Sequence, residues 1–159
     1  MKKELTIKKI LLENSEKIKI AIVQSSYHSE LNENMTEYCK NTLIQNGILD
    51  ENIAVYLAPG SWEIPLIAQK VANSNQYDAI VAFGVIIKGD TYHFEMIANE
   101  VSRALMDIAV RHEIPIGFEI LAVNNLEQAK ARASRNEFNK GTEAGNAVLA
   151  ALGTLIDIK

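Results

Sequence analysis

The stretch DAIVAFGVII, residues 78–87, is almost wholly apolar, and it constrains the fold more than any other segment. A strand with one wet face alternates apolar and polar side chains, whereas an unbroken apolar run predicts a central strand covered on both faces. Such covering calls for helices, and the flanking sequence supplies them. IKIAIVQ at 18–24, a short segment at 53–57 and PIGFEILAV at 115–123 read as three further strands. Between them run helical spacings. Leu31, Met35, Tyr38, Cys39 and Leu43 form the first stripe, stopped by Asn46-Gly47. WEIPLIAQKVANS forms the next helix, with Ser61 as its expected cap and Pro65 near its first turn. Ile97, Val101, Ala104, Leu105 and Ile108 line a long helix ending near Glu113. Two helices, at 125–135 and 140–156, close the chain, the second with Ala144, Val148, Leu152 and Leu155 on one face. Strand and helix in alternation, four times over, predict an α/β three-layer sandwich around a central four-stranded parallel sheet.

With 159 residues the chain suits one domain, placed at 18–159 behind an N-terminal extension of residues 1–17. The formal net charge of -4 argues against a nucleic-acid binder, which needs clustered Lys and Arg to neutralise phosphates. Cys39 is the single cysteine, so neither an intrachain disulfide nor a Cys-based metal cluster is expected, and its place in an apolar stripe predicts a buried, inert thiol. No carboxylates stand at ligand spacing around the three histidines, so no metal site is expected. The N-terminal apolar run, Ile10 to Leu12, is too short for a signal peptide, and no segment approaches the ~20 apolar residues of a membrane span. The expected compartment is the cytoplasm, with no membrane partner.

In a parallel α/β sheet, ligands bind beyond the carboxyl ends of the strands. Those ends carry SSYHSE, APGSWE, KGDTYH and AVNN. KGDTYHFE is the most informative. Gly89 frees the backbone at the end of a buried strand, Asp90 or Thr91 is placed to cap the next helix, and that helix start attracts an anion. His93 falls in its first turn, well placed to pass protons near neutral pH; the plain alternative is a solvent-exposed ring after an ordinary cap. His112 reads as an ordinary cation at a helix C-terminus. Trp62 beside Glu63 suits a flat polar ligand bearing hydroxyls, or else a strand–helix corner. Tyr27 is a stacking platform or a cover for the sheet end. Arg132 and Lys140 flank ARASRNEFNKG, as a phosphate clamp or a solvated basic patch. Neither GxGxxG nor GxxxxGK[ST] follows any strand, and the first loop, SSYHSELNEN, lacks the glycines that a flavodoxin-type phosphate loop wants.

Taken in order, APGSWEIP, GVIIKGDTYHFEMIANEVSRALMD, IPIGFEIL, NLEQAKARA and NKGTEA resemble the lumazine synthase pattern, in register from about Ile18 to the C-terminus. The resemblance implies a flavodoxin-like fold. It also implies condensation of 5-amino-6-(D-ribitylamino)uracil with 3,4-dihydroxy-2-butanone 4-phosphate to 6,7-dimethyl-8-ribityllumazine, phosphate and water, the penultimate step of riboflavin biosynthesis, with no cofactor. By position, Tyr27 matches the aromatic that stacks on the pyrimidine, and Ser61, Trp62 and Glu63 the segment that binds the ribitylaminouracil. Val85, Ile86 and Ile87 match the strand end meeting the ring, Asp90 and Thr91 the phosphate-side loop, Arg132 the phosphate-binding arginine and His93 the proton-transfer histidine. Phe118 matches an aromatic supplied by the adjacent subunit, and Lys140 a lysine near the same pocket. The resemblance further implies a homo-oligomer with sites between adjacent subunits, and an N-terminal extension that pairs with a neighbour's sheet.

Departures from the pattern carry information. Ser26-Tyr27-His28 stands where the family often has Arg-Phe-Asn, so His28 replaces an Asn-type ligand. Trp62 is larger than the usual Phe or Tyr, and Lys88 stands in for a common Arg. SRNEF replaces a Gly-rich link before NKG, which favours a free pentamer over an icosahedral 60-mer. The competing expectations are a non-catalytic lumazine- or flavin-binding protein on the same scaffold, and a flavodoxin-like electron carrier, which the first loop disfavours.

Overall fold

The computed structural model describes residues 12–158; most of the extension whose pairing is expected lies outside them. Four strands, β1 (Ile20–Ser25), β2 (Ile53–Ala58), β3 (Ala79–Ile87) and β4 (Ile116–Val123), form one all-parallel sheet in the order β2-β1-β3-β4. The helices are α1 (Ser29–Gln45), α2 (Ile64–Asn73), α3 (His93–His112), α4 (Leu126–Ala133) and α5 (Lys140–Asp157). Their faces follow from strand alternation. Ile20, Ile22, Val81, Phe83, Leu121 and Val123 point to one side, into a core shared with α1, α4 and α5. Ala21, Val23, Ile80, Ala82 and Ile120 point to the other, against α2 and α3. This is the expected three-layer sandwich, and the unbroken apolar β3 is buried along eight of its nine residues because it lies between β1 and β4 with a helical layer on each side.

Most boundaries match the sequence reading, and the exceptions have local causes. Gly47, at φ 93°, ends α1 in a conformation that favours glycine. Cys39 is fully buried, and that burial pushes its thiol up to about 12, so it is inert. Leu155 was expected on one face with Ala144, Val148 and Leu152 but is 41% exposed, Leu152 being the last buried residue of α5. Ser61 does not cap α2. Residues Ser61–Glu63 instead form a single 3-10 turn ahead of that helix, and the Glu63 carboxylate accepts from the Gly60 N–H at 3.0 Å. Neither Asp90 nor Thr91 caps α3. The residue before that helix is Tyr92, already in helical geometry, and no side chain caps the helix start. Asn125 and Asn139 do cap their helices, accepting from Gln128 N–H at 2.9 Å and Gly141 N–H at 2.8 Å.

Candidate active site

Parallel pairing brings all four strand ends to one edge of the sheet, and the first three loops build a shared surface there. After β1, Ser26 N–H donates to the Ala58 carbonyl at 2.7 Å, tying the ends of β1 and β2 together. Asn32, fully buried in α1, donates through Nδ2 to the carbonyls of Ser25 (3.1 Å), Tyr27 (2.8 Å) and His28 (3.4 Å). Ser25 Oγ accepts from Tyr27 N–H at 3.1 Å. This network holds Tyr27 with its ring 67% exposed, as a ligand platform requires. His28 sits edge-on to Tyr27 at 4.7 Å between ring centroids. Its φ of 56° is left-handed, a conformation in which Asn and His are both enriched. The backbone here thus suits a His as it would an Asn. Asn32 escaped the sequence reading; its only signal is a polar side chain in phase with the buried stripe Leu31, Met35 and Cys39.

The turn carrying Ser61, Trp62 and Glu63 packs against β3 and α3. Ser61 is buried over Gly84 of β3, so closely that a Cβ added at Gly84 would meet its Oγ at 2.5 Å. That approach requires glycine on the strand, and it fixes the turn against the sheet. The Ser61 hydroxyl itself is buried with no hydrogen-bond partner among the described residues. Trp62 projects outward, 56% exposed. Val85 and Ile86 are buried and Ile87 half-buried, so β3 leads from the core directly into the loop after it.

In that loop, Lys88 N–H donates to the Val123 carbonyl at 2.8 Å, joining the ends of β3 and β4. Asp90 and Thr91 are exposed, and His93, also exposed, is the first residue of α3, in the turn the sequence reading gave it. Lys88 Nζ lies 3.4 Å from Glu95 Oε1, two residues beyond His93. His112, at the other end of α3, bonds Gln69 of α2 at 2.8 Å and takes no part in this surface.

Phe118, Arg132 and Lys140 stand apart. Phe118 is 47% exposed on the edge strand β4, paired in register with Ala82, well short of the carboxyl end where the other groups gather. Arg132 is exposed on α4, seven residues past the Asn125 cap and thus about 10 Å back along the helix. Its guanidinium donates to the Gln128 carbonyl at 2.9 Å. The layer holding α4 is also on the opposite side of the sheet from α3. Lys140 opens α5 and pairs with Glu143 at 2.5 Å. Next to Phe118 but facing α5 is Glu119. Burial pushes its carboxyl up to about 7, with Lys140 pulling it down and Glu143 pushing it further up. Glu119 was also missed, because a Glu within a strand reads as solvent-facing until α5 is seen to cover it. Between α4 and α5, Asn139 donates to the Ser134 carbonyl at 2.9 Å and Phe138 N–H to Asn136 Oδ1 at 2.9 Å, folding the glycine-free link into a defined turn.

The described residues therefore group part of the expected site and leave the rest apart. The sheet end offers exposed aromatics, a carboxylate and a histidine at a helix start. Phe118 on the β4 edge, Arg132 on α4 and Lys140 at the start of α5 lie apart from it. Residues 17–155 match the family model described as 6,7-dimethyl-8-ribityllumazine synthase. A protein of that name from Ruthia magnifica subsp. Calyptogena magnifica is 40% identical over 141 residues, covering 86% of this chain and 84% of its own. A match of this extent, with the motif residues gathered at the strand ends, settles kinship: the chain belongs to the 6,7-dimethyl-8-ribityllumazine synthase family.

Proposed function

We infer that the chain condenses 5-amino-6-(D-ribitylamino)uracil with 3,4-dihydroxy-2-butanone 4-phosphate, giving 6,7-dimethyl-8-ribityllumazine, phosphate and water. Together with family membership, the observation that carries this reading is the Ser61–Glu63 turn, laid against β3 beside the start of α3. That packing supports reading Trp62, Glu63 and His93 as the ring-binding, hydroxyl-binding and proton-transfer groups of one site.

On this reading the pyrimidine stacks on Tyr27 and meets Val85, Ile86 and Ile87, while Trp62 walls the pocket. Ser61 and Glu63 serve the ribitylamino arm, whose hydroxyls the Glu63 carboxylate accepts. The phosphate end lies against Asp90, Thr91 and the open N-terminus of α3, whose unbonded N–H groups favour an anion. The uracil's 5-amino nitrogen attacks the ketone carbonyl, and loss of water forms the imine. Removal of a carbon-bound proton then drives out phosphate, and attack by the ribitylamino nitrogen with a second loss of water closes the ring. Each step moves a proton, and His93 supplies and accepts those protons. Holding two substrates face to face contributes independently, by replacing an encounter with a step inside one complex.

Arg132, Lys140 and Phe118 complete the pocket from a second copy of the chain. Their separation from His93 in one chain, on the far layer and along the β4 edge, supports a site shared between subunits, hence a homo-oligomer. The folded, glycine-free 134–139 link supports a free pentamer. Among the described residues no helix is long and apolar enough to cross a membrane, in keeping with a cytoplasmic enzyme. Incubation of the purified chain with both substrates tests the reaction. Appearance of the lumazine chromophore with equimolar phosphate is expected. Tight binding of lumazine without turnover would instead establish a non-catalytic binding protein.

A further inference from the structure

The loop from Lys88 to Tyr92 carries the phosphate-side residues and delivers His93, yet few bonds hold it. Residues 88–93 are all exposed, α3 begins without a side-chain cap, and Gly89 has open space where a Cβ would stand. Among the described residues, two bonds tie its start to the rest of the fold, and both belong to Lys88; at its other end the Tyr92 carbonyl accepts from Met96 N–H at 3.3 Å as α3 begins. The Lys88 backbone N–H is bonded to the Val123 carbonyl at 2.8 Å, and its ammonium reaches across the loop to Glu95 Oε1 at 3.4 Å. Glu95 suits this task. It stands in the first turn of α3, where the helix dipole favours a carboxylate, and its Oε2 is buried without a hydrogen-bond partner among the described residues. With one oxygen buried and its side chain 29% exposed, this carboxylate is partly held in place, so the pair closes the segment 88–95 into a ring in which His93 stands two residues from the closing carboxylate.

We propose that the Lys88–Glu95 pair is a clamp that positions the loop and the His93 imidazole, making Lys88 and Glu95 positioning residues for the reaction. The pair is partly exposed and contributes little to global stability. Its effect lies in geometry, because misplacing a catalytic group by about 1 Å can cost up to ~10²-fold in rate. The inference rests on the reading of His93 as the proton-transfer group.

Three single variants and one double variant, assembled as the wild-type protein is, test the clamp: Lys88→Met, Lys88→Arg, Glu95→Gln and Lys88→Met/Glu95→Gln. Lys88→Met and Glu95→Gln are expected to lower kcat about tenfold, with the KM for the ribitylaminouracil and the thermal midpoint nearly unchanged. Lys88→Arg should restore most of the rate, and Lys88→Met/Glu95→Gln together should lose little more than either alone. Hydrogen exchange in the peptide spanning 88–97 gives a second readout that does not depend on activity, and it should be faster in Lys88→Met than in the wild type. Unchanged kcat together with unchanged exchange overturns the clamp, as does a rate loss matched by loss of folded protein in both Lys88→Met and Glu95→Gln. If the wild type makes no lumazine, the functional reading fails, and exchange alone still decides whether the clamp exists.

Discussion

Replacing Gly84 by Ala links the packing of this core to its chemistry. The added Cβ would meet Ser61 Oγ at 2.5 Å, Ile120 Cδ1 at 3.2 Å and Ile64 Cδ1 at 3.3 Å. The isoleucine contacts are tight but yield through small rotations. The Ser61 contact does not, because Ser61 is buried and sits in the short turn ahead of α2. Either its side chain rotates into packed surroundings or the turn lifts off β3. Overpacking of this kind costs about 1–3 kcal/mol, which in a chain of this size lowers the thermal midpoint by roughly 2–4 °C per kcal/mol. Lifting the turn also moves Trp62 and Glu63, so the KM for ribitylaminouracil should rise severalfold while that for the butanone phosphate stays nearly constant. Adding Ser61→Gly removes the atom met first. The two changes together should therefore be less destabilising than their sum, by about 0.5–3 kcal/mol. Thermal unfolding of the four proteins and initial rates with each substrate varied in turn make the assay. Wild-type stability and KM in Gly84→Ala, or strict additivity in the double variant, would refute the close approach on which the site's construction rests.

Other outcomes follow from the same site. His93→Ala should lower kcat by about 10²–10⁴ with substrate affinities mostly retained, measured by lumazine formation under saturating conditions; full activity removes His93 from proton transfer. Arg132→Ala should chiefly raise the KM for the phosphate-bearing substrate, since a guanidinium's paired hydrogen bonds to phosphate are lost; unchanged saturation with that substrate removes Arg132 from the pocket. Glu119 makes a pH prediction. Its carboxyl titrates at about 7 when folded, above its ordinary value of 4.5, so between those values the native chain holds a proton that the unfolded chain has released. That contribution is at its most favourable below pH 4.5, declines as pH rises through 7 and stays lost above. Glu119→Gln should therefore stabilise the protein by on the order of 1–3 kcal/mol near pH 8, with the advantage gone in acid, as read by denaturant unfolding across pH.

The architecture was legible because its signals are long-range in sequence. An unbroken apolar β3 needs two covering layers, and the helical stripes on either side of it supply them. Local signals served less well. Ser61, Asp90 and Thr91 are good caps by residue type, but Ser61 is drawn beneath the turn by the glycine opposite, and Tyr92 takes helical geometry before either Asp90 or Thr91 can cap. Leu155 kept its periodicity one turn beyond Leu152, the last buried residue of α5. Tyr27, Trp62 and His93 were found at strand ends because parallel pairing gathers those ends wherever the loops fall. Asn32 and Glu119 were not, since each looks ordinary until the opposing element is in place. Motif order alone linked Phe118 to the site, Arg132 was legible as a phosphate clamp or a solvated basic patch, and the single chain holds both away from the sheet end.

That separation makes the shared pocket directly testable. His93→Ala and Arg132→Ala chains, each nearly inactive alone at low butanone phosphate, are dissociated together, reassembled and assayed for lumazine formation. With each pocket drawn from two adjacent copies, random mixing regenerates about a quarter of the sites with both side chains intact, and activity should recover in that proportion. A mixture no more active than its separately assembled components would place both groups in pockets formed within one chain, and would contradict the account.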